Sequence, residues 1–270
     1  MAVVSGLHVY PVKSCKGIAL EEAELTDSGL AFDRHWMLVD GDGRFVTQRE
    51  LPRMALVATE IRGAWLILSA PEMPTLTMSI VTEGARLAVT VWDDRCSGID
   101  QGQVAADWFS SFLRRPLRLA RFDPAVPRYS NAEYTGEMRA ATEFSDGYAL
   151  LILSEASLAD LNARLEQPVA MNRFRPNIVI RDVEAYDEDH LHSLSHGDLE
   201  LRIVKPCTRC QVTTTNQDSG EVGREPLQTL RTYRRHPKLG AITFGQNAIV
   251  IRGAGKILRL GDKLEETWNF

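Results

Sequence analysis

Short β-like runs separated by turn signals fill most of this chain, and they constrain its fold more than any other feature. The clearest runs predict strands at residues 3–10, 65–69, 85–92, 148–153, 177–181, 199–204, 242–252 and 256–260. Pro11 ends the first run, and Gly261-Asp262 predicts a turn before a last short strand. Many short strands predict a mainly β fold with added helices, of the α+β type, and favour barrel-like architecture.

Two segments have clear helical periodicity. Residues 102–115 carry apolar side chains four residues apart, at Val104, Trp108 and Phe112. Residues 154–165 form the second segment, in which Ser154 suits the N-cap and Glu155 suits the positive end of the helix. A weaker helix is predicted at residues 225–235, which open with a proline.

Composition excludes several classes of protein. The 270 residues carry a formal net charge of −5, which does not favour an extended nucleic-acid surface. No window approaches 18 apolar residues, so we expect no membrane span, and residues 1–6 do not resemble a signal peptide. Four cysteines in so long a chain do not form a disulfide framework, which favours a reducing compartment and hence the cytoplasm.

The segment 205–215 contains the strongest chemical signal. Cys207 and Cys210 stand three residues apart, Arg209 precedes the second thiol, and a run of threonines follows. Thiolates bind soft metals, and a nearby guanidinium favours the thiolate. The pair alone also fits idle thiols, half of a zinc site or a dithiol redox pair, although no second CxxC completes a zinc site.

Three further segments could bind an anion. Residues 10–17 follow a strand, contain Lys13 and Ser14 and end in glycine, which suits an anion-binding loop or a solvated turn. An Asp-Arg pair at 33–34 enters another strand. Residues 172–177 place two arginines two positions apart, on one side of an extended chain, as an anion fork or a surface ion-pair set.

Two polar stretches receive simpler interpretations. Asp-Gly-Asp-Gly at 40–43, between runs at 36–40 and 44–48, predicts a hairpin turn, because the later ligands of a calcium loop are missing. His190, His192 and His196 lie in a strongly polar stretch, for which we expect a solvated loop rather than a metal site.

Six segments in this order resemble the MOSC family, and in particular the amidoxime-reducing components and their bacterial relatives. They are 10–17 (Tyr-Pro-Val-Lys-Ser-Cys-Lys-Gly), Asp33-Arg34, 151–162, 172–179 (Asn-Arg-Phe-Arg-Pro-Asn-Ile-Val), Cys207-Thr-Arg-Cys210 with Thr213-Thr214, and 244–246 (Phe-Gly-Gln). The resemblance implies a MOSC β-barrel domain at 128–268 packed on an N-terminal β-barrel-like domain at 1–122. Residues from about 1 to 34 would contribute to the cofactor site of the MOSC domain.

The resemblance also implies a molybdenum cofactor, Mo-molybdopterin, with one cysteine on the metal. In this motif the ligand is the second thiol, so Cys210 is the predicted metal ligand and catalytic residue, and Cys207 is its neighbour. A phosphate and a polar pterin need cations, hydroxyls and amides. The predicted cofactor-binding residues are Lys13, Ser14, Arg34, Ser154, Glu155, Arg175, Asn177, Thr208, Arg209 and Cys210.

The implied activity is that of a molybdenum-dependent oxidoreductase that reduces N-hydroxylated compounds, such as amidoximes. No cysteine follows Cys210 to hold an iron–sulfur cluster, so we expect a separate electron donor of the ferredoxin, flavoprotein or cytochrome b5 type. Sulfurase C-terminal domains share this resemblance, so the alternative is a non-catalytic carrier of the cofactor or a sulfur-handling module. A zinc or dithiol redox protein is the third hypothesis.

Overall fold

The computed structural model describes residues 1–81 and 83–269. Strands of its N-terminal part are β1 (Ala2–Val9), β2 (Ile18–Leu20), β3 (Glu22–Thr26), β4 (Gly29–Leu30), β5 (Trp36–Val39), β6 (Ala58–Arg62), β7 (Trp65–Ser69), β8 (Leu76–Ser79), β9 (Arg86–Val91), β10 (Asp94–Asp100) and β11 (Arg118–Phe122). Strands of its C-terminal part are β12 (Arg128–Tyr129), β13 (Ala141–Thr142), β14 (Leu150–Ser154), β15 (Ile178–Arg181), β16 (Leu191–His196), β17 (Leu199–Thr208), β18 (Thr243–Arg252), β19 (Ile257–Arg259) and β20 (Lys263–Trp268). The α-helices are α1 (Gln103–Leu113), α2 (Ala132–Thr135), α3 (Glu155–Asn162) and α4 (Leu227–Tyr233).

Seven strands close into a barrel in the order β15-β14-β18-β17-β16-β20-β1, and β1 pairs back onto β15. The closing pair is antiparallel, with Val4 opposite Ile180, whereas β14 and β15 run parallel. Apolar side chains from all seven strands fill the interior, and β3 and β4 pack against the same core. The first strand of the chain therefore completes a barrel whose other strands begin at residue 150.

The remaining N-terminal elements form a second β-rich layer. A four-stranded sheet in the order β5-β11-β10-β9 lies with a three-stranded sheet, β6-β7-β8, around helix α1. Trp36 and Phe109 are fully buried at its centre. Helix α1 ends where Arg114 adopts a left-handed backbone, just before Pro116. A mainly β fold with added helices, barrel included, confirms the predicted fold class.

Most of the predicted elements are present, with three corrections. The run at 44–48 makes only isolated bridges at Arg44 and Phe45, although the turn before it forms, with Asp40 Oδ1 accepting from two backbone N–H groups. Val104 is 71% exposed, because helix α1 buries its Trp108 side instead. The histidine stretch is not a loop. Residues 191–196 are barrel strand β16, in which Leu191 and Leu194 pack in the core while His192 and His196 are exposed. A bulge between Leu191 and Ser193 interrupts the usual alternation of the strand.

Candidate functional site

Two N-terminal loops are joined by backbone hydrogen bonds at the mouth of the barrel. After β1, Lys13 N donates to Trp36 O at 2.7 Å, and Arg34 N donates to Tyr10 O at 2.9 Å. Tyr10 N donates in turn to Asp33 Oδ1 at 2.9 Å. The loop that carries Lys13 and the loop that carries Arg34 therefore hold each other in place.

The Tyr10 ring separates two guanidinium groups. Arg34 lies 4.3 Å and Arg175 lies 4.1 Å from the ring centroid, and the phenol donates to Pro176 O at 3.1 Å. Gly17 packs on the same ring, where an added Cβ would approach a ring carbon to 2.5 Å. The glycine that ends the predicted loop is thus required by close packing against Tyr10.

Three predicted site residues have left-handed backbones. The φ angles are 67° at Ser14, 50° at Arg34 and 57° at Arg175. Residues other than glycine seldom adopt this conformation, which costs of order 1–3 kcal/mol and clusters at functional sites. The coincidence of three such residues points to a site shaped for binding.

A cavity of about 740 Å³ lies where these loops meet the end of strand β17. Both thiols of the CxxC, Cys207 and Cys210, line it. The volume is ordinary for a site that holds a cofactor or small molecule. The structure brings together eight of the predicted cofactor-binding residues in this lining: Lys13, Ser14, Arg34, Arg175, Asn177, Thr208, Arg209 and Cys210.

The cavity is cationic although the chain is acidic overall. Eight arginines and lysines line it against three aspartates. Lys13 pairs with Asp146 at 2.6 Å, and Arg128 pairs with Asp94 at 2.6 Å. Within the part of the chain that the structure describes, four lining cations have no ion-pair partner: Arg173, Arg175, Lys205 and Arg209. Such an excess of unpaired cations suits an anion.

Two of these guanidiniums hold buried, unsatisfied donors. Arg209 is anchored by Nε to Phe244 O at 2.7 Å and by Nη1 to Phe174 O at 3.0 Å. Its Nη2 is buried and, like Nη2 of Arg175, finds no hydrogen-bond partner among residues 1–81 and 83–269. A buried charged donor without a partner is costly, so both atoms indicate an absent acceptor.

Asn177 and Asp33 both accept hydrogen bonds from Arg34 and hold it in place at the cavity wall. Arg34 Nη1 donates to Asp33 Oδ2 at 2.5 Å and to Asn177 Oδ1 at 3.1 Å. Asn177 Oδ1 also accepts from Leu151 N at 3.1 Å, and its amide donates to His8 O at 3.2 Å. The amide of Asn177 therefore fixes Arg34 against the barrel.

Burial dominates the titration of the lining groups. It lowers the pKa of Arg175 to about 10, and it lowers the pKa of Lys13 although Asp146 acts in the opposite direction. Burial also raises the pKa of Cys207, an effect that Arg209 only partly offsets. Cys207 is therefore held as the neutral thiol at neutral pH.

Ser154 and Glu155 do not line this cavity. Ser154 is fully buried and caps α3: its Oγ accepts from Ser157 N at 3.0 Å and donates to Ser157 Oγ at 2.8 Å. Ser154 N donates to Glu188 Oε1 at 3.2 Å. Ser154 N and Ser157 N, two donors of the helix start, are already bonded to protein groups, and neither Ser154 nor Glu155 lines the cavity, so we omit both residues from the proposed site.

Sequence reasoning missed several charged or aromatic residues that the fold delivers to the cavity, among them Arg49, Trp92, Arg128, Asp146 and Lys205. These five come from separate loops and strand ends outside the resemblance segments, apart from Lys205, which stands two residues before Cys207. No local spacing marks the other four. Only the lysine could have been found, as the first cation of the CxxC segment.

The hypotheses that the CxxC binds zinc or forms a disulfide gain no support. All four cysteines are free, and residues 1–81 and 83–269 contain no cluster of three or more His, Cys, Asp or Glu side chains suited to a metal. Cys15 is fully buried beside Val12 and Trp36, where burial raises its pKa to about 12.

None of the described helices is long and apolar enough to cross a membrane.

Comparison with known proteins assigns the family. Residues 1–116 match the MOSC N-terminal beta barrel domain, and residues 140–265 match the MOSC domain. Human mitochondrial amidoxime-reducing component 1 is 40% identical over 87% of this chain and 73% of its own length. The mouse component 1 is 39% identical over 87% and 72%, and the rat component 2 is 38% identical over 87% and 73%. The predicted resemblance is confirmed, and the chain belongs to the MOSC family, together with the mitochondrial amidoxime-reducing components.

Proposed function

We propose that this chain is a molybdenum-cofactor-dependent oxidoreductase that reduces N-hydroxylated compounds, such as amidoximes, to their N–H forms. One observation carries the proposal. The free Cys210 thiol shares a cavity with Arg175 and Arg209, each of which has a buried Nη2 donor without a partner. The names of the relatives, amidoxime-reducing components, supply the reaction class.

The residues present fit the proposed cofactor. A molybdopterin is anionic through its phosphate and presents sulfur and polar pterin atoms, so it needs cations, a thiolate ligand and hydrogen-bond partners. The two buried Nη2 atoms need acceptors, and a phosphate provides them in the geometry that guanidiniums prefer. Without an anion, the four unpaired lining cations would repel one another.

Three groups of residues would share the binding. Cys210 would be the protein ligand of the metal. Arg175 and Arg209 would bind anionic oxygen, while Arg34, fixed by Asp33 and Asn177, adds a third guanidinium beside Tyr10. The remaining contacts would come from Lys13, Ser14 and Thr208, which line the same cavity.

The protein's own contribution is to bind, orient and enclose. When bound, the cofactor supplies two-electron transfer and removal of the substrate oxygen. Lys13, buried and paired with Asp146, places a fixed positive charge at the cavity wall. The neutral Cys207 thiol adds no second negative charge beside Cys210. Overall, two electrons and two protons convert the N–OH group to N–H and water.

Further features belong to the same proposal. The two electrons would come from a separate protein of the ferredoxin, flavoprotein or cytochrome b5 type. We retain the division into domains at 1–122 and 128–268, with the loops at 10–17 and 33–34 reaching the cofactor of the second domain. Four free cysteines suit the reducing cytoplasm as the location, although the animal relatives are named as mitochondrial.

The test is a turnover assay on protein purified from a host that makes the cofactor. We expect bound molybdenum and pterin, and conversion of benzamidoxime to benzamidine with reduced methyl viologen as the artificial donor. Metal-free, inactive protein would contradict the proposal. Protein that binds the cofactor, turns nothing over and passes the cofactor to an apo-molybdoenzyme would instead establish the carrier alternative.

A further inference from the structure

Trp92 occupies a turn position that local preferences assign to another residue. It begins the two-residue loop between β9 and β10, where Val91 pairs with Asp94, and its φ is 55°. Such tight hairpin turns favour glycine, asparagine or aspartate, because a bulky side chain at positive φ is strained. The departure of Trp92 from this conformational preference indicates a functional role for its side chain.

The indole is held rigidly and faces the cavity. Arg49 lies 4.6 Å from its ring centroid and Phe45 lies 5.2 Å away, while Nε1 donates to Asp146 Oδ1 at 3.2 Å. Even so, Trp92 is 51% exposed, and it lines the same cavity as Cys210. The strained turn therefore presents a fixed, open aromatic surface to the proposed active site.

Asp146 places a carboxylate beside that surface. Its Oδ1 accepts from Lys13 Nζ at 2.6 Å and from Trp92 Nε1 at 3.2 Å. Among residues 1–81 and 83–269, the partner of Oδ2 is Arg49 Nη2 at 3.7 Å, beyond hydrogen-bond distance. Burial disfavours charge on Asp146, but Lys13 and Arg49 outweigh it and hold the carboxyl pKa below its usual range. Oδ2 is thus an ionised acceptor with capacity to spare.

We propose that Trp92 and Asp146 form the recognition surface for the substrate, with Trp92 stacking on its planar body and Asp146 Oδ2 accepting from its amino group. This assignment rests on the proposed function and names the residues that would discriminate between substrates with an arene and substrates without one. The amidine product is a cation, so the same carboxylate binds it as well.

Two substrates separate the roles of the two residues. Benzamidoxime has both a ring and an amino group, whereas acetamidoxime has the amino group alone. In cofactor-loaded protein, Trp92→Ala should raise the KM for benzamidoxime about fivefold to tenfold and leave the KM for acetamidoxime unchanged. Asp146→Asn should raise the KM for both substrates, with activity expressed per bound molybdenum because Asp146 also pairs with Lys13.

Trp65 provides a matched control, because it is also 51% exposed but lies outside the cavity. Trp65→Ala should change neither KM. Trp92→Gly guards against misfolding, since it removes the indole and relieves the positive φ. It should show the same KM change as Trp92→Ala and a higher melting temperature than that variant.

Calorimetric binding of benzamidine distinguishes a failure of this inference from a failure of the proposed function. If the loaded wild type turns over benzamidoxime but Trp92→Ala matches Trp65→Ala in both KM and benzamidine affinity, the recognition surface is refuted and the function stands. If the wild type has no turnover but binds benzamidine, and Trp92→Ala weakens that binding about fivefold or more, the surface stands and the function is refuted.

Discussion

Two regions of this protein looked like anion sites in the sequence, and only one has donors to spare. At the cavity, Arg175 and Arg209 keep buried Nη2 atoms without partners. At the start of α3, the Ser154 hydroxyl accepts a hydrogen bond from Ser157 N, and Glu188 Oε1 accepts one from Ser154 N. An unsatisfied atom there, Glu188 Oε2, belongs to a carboxyl group and not to a cation. A helix start with Ser154 N and Ser157 N bonded internally has fewer donors for an anion, whereas a cavity lined by unpaired cations favours one.

The largest expected effect follows from removing one of the unpaired guanidiniums of the cavity. Arg175→Met should reduce the bound molybdenum and pterin at least about tenfold, because a buried bidentate donor to an anion is lost. The cofactor-free variant should melt at or above the temperature of the cofactor-free wild type, since an unpaired buried charge is removed. Metal analysis and calorimetric melting measure the two effects.

The opposite results would assign Arg175 a role in stability instead of cofactor binding. A melting temperature that falls while the cofactor content is retained would show that the guanidinium supports the fold. Arg173→Met is the matched comparison, because Arg173 lines the same cavity but is not among the arginines with a buried, unpaired Nη2. It should reduce the bound molybdenum less than Arg175→Met does.

A smaller effect tests the helix start. Ser154→Ala removes the N-cap of α3, so it should lower the free energy of unfolding by about 1 kcal/mol. The molybdenum content should stay at the wild-type value, because Ser154 does not line the cavity. Urea denaturation and metal analysis check both parts. Loss of cofactor from a folded Ser154→Ala variant would restore this residue to the site and overturn the comparison.

The smallest effect concerns Glu188, which is fully buried. Burial raises the pKa of its carboxyl, so the native state prefers the protonated form. A raised folded-state pKa gives stability that is fully present below the unfolded pKa of about 4.3 and is lost as the pH rises through the folded value. Glu188→Gln should therefore raise the melting temperature by about 1–3 °C at pH 8 and by nothing near pH 4. An equal shift at both pH values would contradict this assignment.

Local sequence patterns predict the strands and helices that depend on neighbouring residues, but not the long-range strand pairings. The strand at Trp65–Ser69 and the Ser154 cap of α3 follow from periodicity and a capping residue. The stretch at 191–196 resembles a loop in the sequence, because its exposed histidines are polar and a bulge between Leu191 and Ser193 breaks the alternation expected of a barrel strand. Barrel closure by β1 joins residues about 175 positions apart, which no window of sequence reveals.

The candidate site divides in the same way. Lys13, Arg34, Arg175 and Arg209 stand in recognisable segments, and the fold brings them together as expected. Trp92 and Asp146 belong to a hairpin turn and a loop with no motif, so their place in the cavity depends on long-range packing. Ser154 fits both an N-cap and an anion site in the sequence, because the two share a signature, and its hydrogen-bond partners favour the cap.

Molybdenum stoichiometry of two cysteine variants tests the central claim most directly. Cys207 and Cys210 line one cavity, so replacing either thiol by alanine makes a comparable change in volume and polarity. In protein from a cofactor-producing host, Cys207→Ala should retain molybdenum near the wild-type ratio. Cys210→Ala should lose most of it, because the ligand is removed. Equal molybdenum content in the two variants would contradict the assignment of Cys210 as the metal ligand.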